Sequence, residues 1–114
     1  MGLSRDQIKA TDDIKRESVA VEEWGGDVWV QALSVRDRQL FVKLYGEESG
    51  EPEMPADVWL ILTCACDESG ERLFGDDDAD WLSGKASTAV QAVAYKCLEL
   101  NGLTEGAVEE AEKN

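Results

Sequence analysis

The chain has 114 residues, 43% of them apolar, and carries 25 acidic against 11 basic side chains for a net charge of −14. That length gives room for one modest core, and that apolar content excludes wholesale disorder. The charge repels nucleic-acid phosphates and favours basic partners, so neither DNA nor RNA is an expected ligand.

Met1-Gly2-Leu3 leads into polar sequence, so no secretory leader is expected. Leu3 to Ala10 predicts a short helix, with Ser4 as N-cap and Gln7 completing a capping box. A charged connector follows, Asp12 to Arg16. Ser18–Glu23 and Asp27–Leu33 alternate as two strands of a hairpin, turned by Trp24-Gly25-Gly26. Trp29 then falls on the face opposite Val28 and Val30. Ser34 caps the next helix, with Asp37 three residues on and an apolar stripe of Leu40, Phe41, Leu44 and Tyr45 before Gly46 stops it. Arg36, Arg38 and Lys43 form the one basic concentration in the sequence. Glu47 to Ala56 reads as a flexible loop.

Val58 to Cys66 is the longest nearly unbroken apolar run. It is too short to cross a bilayer, which takes about 20 residues. Its β-branched and aromatic content, with turn-like residues at both ends, predicts a central strand buried on both faces. Asp67-Glu68-Ser69-Gly70 turns it into a short antiparallel partner, Glu71 to Phe74. On such a strand Cys64 and Cys66 share a face about 6.6 Å apart, near the limit for bridging. All three cysteines are expected to be reduced, small hydrophobes. Asp76 to Asp80 lead into one helical turn at Trp81-Leu82. Ser87 is the expected cap of the longest helix, Thr88 to Asn101, which buries Val90, Val93, Cys97 and Leu100. Gly102 marks its end, with Leu103 folding back on Leu98.

These elements predict an α+β fold: a small, largely antiparallel sheet, made of the hairpin plus the central strand, packed by a long C-terminal helix. Residues 1–103 form one domain and 104–114 an acidic, flexible tail. Trp59 is expected under the long helix and Trp24 against its own turn.

Histidine is absent, which removes Ser-His and Cys-His catalysis and the commonest zinc ligand. Asp76, Asp78 and Asp80 have calcium-loop spacing, but Trp81 stands where glycine is required and Ser87 where the glutamate belongs. Gly25-Gly26 lacks the Lys-Ser/Thr of a phosphate loop. The reading is a non-enzyme without metal or cofactor, a small unrecognised enzyme ranking last. Four tryptophans exceed what this core needs, and Trp29 and Trp81 are the candidates for exposed, partner-binding anchors, with Arg36 and Arg38 beside them as basic candidates.

The succession of apolar strand, Asp-Glu-Ser-Gly-Glu turn, Leu73-Phe74, acidic Asp77-Asp78-Ala79-Asp80 and an Ala-rich helix ending Leu98-Glu99-Leu100-Asn101-Gly102-Leu103 resembles the small tail assembly chaperones of long-tailed, lambda-like bacteriophages. The Glu23-Trp24-Gly25-Gly26 turn before Val28-Trp29-Val30 is similar to the same group. The resemblance implies a chaperone that holds tape measure protein, tail tube protein or both in solution before tail polymerisation. It implies action in the cytoplasm of the infected host and absence from the finished virion. Self-association into a homo-oligomer is left open. Many genes of this group also yield a longer product by a minus-one ribosomal frameshift, and Glu112-Lys113-Asn114 can be encoded by a slippery A-rich run. From another class, an acidic DNA mimic that inhibits a host DNA-binding protein is the alternative. It requires carboxylates spaced like phosphates, whereas these cluster at helix starts and in the tail.

Overall fold

The computed structural model describes residues 2–46 and 52–103. The chain is α+β. Helix α1 (Arg5–Ala10) precedes an antiparallel hairpin of β1 (Arg16–Val21) and β2 (Gly26–Gln31). Then come α2 (Val35–Tyr45), α3 (Ala56–Cys64), the two-residue β3 (Ala65–Cys66), α4 (Ala79–Leu82) and the long α5 (Ser87–Leu100). The sheet order is β1-β2-β3, with Ser18 opposite Trp29 and Trp29 opposite Cys66.

The expected central strand over 58–66 is the main correction. Residues 56–64 are helical, and only Ala65 and Cys66 are extended enough to pair with β2. The physical reason lies in backbone hydrogen bonding. A nine-residue strand needs neighbours along its whole length, and a two-stranded hairpin supplies one edge. A helix satisfies its own amides and carbonyls. Apolar residues on all sides make it a buried helix, and Val58, Leu60, Ile61, Leu62 and Cys64 are all buried. Pro55 stands at its N-cap and Asp57 in its first turn, both suited to a helix start.

The core lies between α3, α5 and one face of the sheet. α5 contributes Ala89, Val90, Val93, Ala94 and Cys97, and the hairpin contributes Val21 and Val30. Leu82 of α4 closes one end of it. Cys64 and Cys97 meet where α3 and α5 pack and are joined as a disulfide, with Cα atoms 6.4 Å apart, in place of the expected thiols. The Cys64–Cys66 adjacency does not arise, because Cys64 ends a helix. Trp59 is also placed differently: its ring contacts are Phe41 and Tyr45 of α2, at 5.6 and 6.2 Å between centroids.

Local signals set most element ends. Ser4 and Gln7 form the full capping box of α1, and Ser34 Oγ accepts from the Asp37 amide at the start of α2. Ser87 is not the cap of α5. Ala86 is, without a side-chain bond, and the hydroxyl of Thr88 donates to Glu23 instead. The other end of α5 closes as expected: Gly102 has φ +66°, and the Leu103 amide donates to the Leu98 carbonyl at 2.7 Å. The expected tail, 104–114, and most of the loop before α3 lie outside the described residues.

Leu62 is 2% exposed. Leu62→Ala is expected to cost about 2–5 kcal/mol, and Leu62→Asp to abolish cooperative folding because the carboxylate has no buried partner. Thermal or urea melts followed by circular dichroism check both.

Candidate partner-binding face

The three-stranded sheet has two unlike faces. Residues paired across strands share a face, so Val19, Val28, Val30 and Ala65 point to the helices, while Ser18, Trp29 and Cys66 point away from them. Trp29 is half-buried and is not among the residues packed on the core. After β3 the chain turns and crosses back over the end of the sheet. Cys66 bridges to Arg72, and the Leu73 amide donates to the Ala65 carbonyl at 3.1 Å. This return places Leu73, 49% exposed, beside Trp29.

A shallow groove of about 530 Å³ results. Trp29, Cys66 and Leu73 line it with apolar surface, and Asp27, Asp67 and Glu68 add carboxylates to its rim. One side-chain oxygen makes three of the hydrogen bonds in the turn that builds the rim. Oδ1 of Asp67 accepts from the Ser69 amide at 2.9 Å, the Ser69 hydroxyl at 2.7 Å and the Glu71 amide at 3.0 Å. The Ser69 hydroxyl, followed by those backbone amides, holds the Asp67 carboxyl below the usual carboxylate range. Cys66 is the one free cysteine, and burial pushes its thiol up, with Arg16 opposing and Asp67 adding to the push.

The far half of the same face is closed. The Arg16 guanidinium lies against Gly70, so near that a Cβ there would stand 2.6 Å from Nε. Nη2 of Arg16 meets Asp12 at 3.0 Å, and the Gln31 side chain donates to the Gly70 carbonyl at 3.1 Å. Gly70 has φ +97°, a conformation that other residues adopt at a cost.

The other expected contact residues lie elsewhere. Trp81 is 47% exposed, but its ring is committed: the indole N–H donates to Asp78 at 2.7 Å, and its edge packs on Phe74, centroids 5.7 Å apart. That indole, followed by the Gly75 amide, holds the Asp78 carboxyl below its ordinary range. Arg38 is exposed and donates to the Asn101 carbonyl at 3.2 Å, tying α2 to the end of α5. Arg36 is exposed at the start of α2 and has no ion pair among the described residues. The four expected contact residues therefore do not form one patch. Of these, Trp29 alone lines the groove, and no pattern in the sequence pointed to Leu73 as its neighbour.

Several acids have local uses. Asp67 and Asp78 hold turns, Glu17 and Glu99 pair with Lys96 at 3.3 and 3.1 Å, and Glu23 takes the Thr88 hydroxyl. Among the described residues, no group of three or more Cys, Asp or Glu side chains is placed to hold a metal. No helix there is long and apolar enough to cross a membrane.

A small α+β module with an open aromatic groove on one sheet face is the class of protein that this geometry defines. The chain belongs to the phage tail assembly chaperone family, which it matches over residues 5–114. That family comprises assembly chaperones and not enzymes. The fold is also similar to the solved structure of the bacteriophage HK97 tail assembly chaperone. The TM-score is 0.59 at 18% identity, covering 83% of this chain and 90% of that one. No curated protein matches the chain.

Because Asp67 is held below its ordinary range in the folded state, its contribution is complete above its unfolded pKa, about 4. It is lost as pH falls through the lower folded value. The melting temperature should therefore drop on acidification below about pH 4. Asp67→Asn should be less stable at pH 7 and show a shallower acid decline, the two proteins converging at the acid end. Melts across the pH series measure this.

Proposed function

We propose that this chaperone binds the tape measure protein, the tail tube protein, or both, in the host cytoplasm and keeps them from polymerising early. Trp29 is the anchor of the binding face. The observation that carries this reading is the Trp29–Leu73 groove, an apolar surface open on the side of the sheet that, among the described residues, no helix covers. Aromatic side chains in such positions commonly dominate binding energy. The net charge of −14 suits the role, since it keeps a loaded complex soluble. Trp81 and Arg36 are secondary contact points, and Arg38 serves chiefly to hold α2. Residues 1–103 act as the binding domain.

Co-expression tests the reading. Tape measure or tail tube protein produced with the chaperone should stay in the soluble fraction and co-purify with it. Trp29→Ala should melt within a few degrees of wild type yet lose roughly tenfold or more in retention, as expected of a hot-spot residue. Equal solubility of both client proteins without the chaperone would overturn the role. A variant that unfolds outright would make Trp29 a core residue.

A longer product is part of the proposal. Glu112-Lys113-Asn114 written as GAA-AAA-AAC or GAA-AAA-AAT would present a slippery run, and a minus-one shift there would add an arm that engages the tape measure. Synonymous recoding of these codons should remove the longer product and tail formation while the short protein melts unchanged. A GAG or AAG codon, or no overlapping minus-one frame, excludes this mechanism.

A further inference from the structure

We infer that the Trp29 groove takes a cationic apolar segment: one large apolar side chain on the floor, with Lys or Arg as its neighbours. This rests on the binding role proposed above and specifies the chemistry of what is bound.

The floor and rim supply the argument. Trp29, Leu73 and the buried Cys66 offer an apolar seat, and about 530 Å³ falls within the range that holds a bound group. Two carboxylates line the groove along with that seat, Asp27 from the start of β2 and Glu68 from the turn after β3. Neither Asp27 nor Glu68 has an ion pair among the described residues. The cations on this face are already engaged elsewhere: Arg16 with Asp12, and Arg72 with Asp76 and the Leu62 carbonyl. An anionic segment would meet two unpaired carboxylates, and like-charge contact is costly. A purely polar cationic segment would leave the apolar floor wet. An apolar anchor with positive charges next to it meets both requirements.

Titration of the ¹⁵N-labelled protein with short synthetic peptides tests this. The probes are Gly-Ser-flanked Lys-Phe-Lys, Glu-Phe-Glu and Lys-Ser-Lys, and Trp29→Phe assigns the Trp29 indole signal. Lys-Phe-Lys should shift the Trp29 indole and the Cys66 and Leu73 amides, leaving the Trp59 and Trp81 indoles in place. Its binding should weaken roughly fivefold in the Asp27→Asn/Glu68→Gln double variant, and weaken again from about 50 to about 500 mM salt. Glu-Phe-Glu and Lys-Ser-Lys should bind more weakly. Equal binding of the three probes, no binding, or shifts confined to other surfaces overturns the inference. So does movement of the Trp29 signal on concentrating the protein alone, which would seat a second copy in the groove. The two readings fail separately. If Lys-Phe-Lys does not bind but co-expressed tail proteins are still held through Trp29, the ligand chemistry is wrong and the chaperone reading stands. If those proteins are not held at all, the reading beneath it is wrong.

Discussion

A helix that is apolar on every side has to be covered on every side, and that requirement on α3 organises the molecule. Its buried residues Val58, Leu60, Ile61, Leu62 and Cys64 take up more than half of the helix circumference, and half-buried Trp59 lies on the rest. α5 covers it along its length, with small residues such as Ala89 and Ala94 that allow close approach. α4 brings Leu82, and the aromatic residues of α2 meet Trp59. Each fully buried aliphatic side chain contributes about 1.5–3 kcal/mol, so a few such contacts on α3 rival the net stability of a small domain.

Covering α3 uses up the helices on one side of the sheet. The sheet is three strands wide, and its third strand is two residues long. Among the described residues, the return through Leu73 and the Arg16–Gly70 contact shield its other face. The open groove is thus a by-product of how the core is built. A wider sheet or a longer β3 would need a second layer of helices, and Trp29 would become an ordinary core residue.

The sequence revealed those parts of the fold that are decided locally. The capping box at Ser4, the hairpin around Gly25, the Ser34 cap and the Gly102 stop each depend on residues within a few positions, and each is present. Ser87 is not the cap, because the helix begins one residue earlier than expected and Ala86 takes that position. Val58 to Cys66 failed for a deeper reason. A run that is apolar throughout has no period, so strand and buried helix look alike, and only the supply of hydrogen-bonding neighbours separates them. The Trp59 contacts and the Cys64–Cys97 bond followed from that assignment and were hidden with it. Trp29 was legible from alternation along β2, whereas Leu73 was not, because a turn eight residues from β3's start brings it there.

Asn101 has a mechanical consequence. Its side chain accepts from the Leu33 amide at 2.9 Å and donates to the Cys97 carbonyl at 2.7 Å, while its own carbonyl takes Arg38. The last turn of α5 is therefore knotted to the β2–α2 junction. Two of these bonds cross to that junction, so fraying of α5 from its C-terminal end must break both before its last turn can unwind.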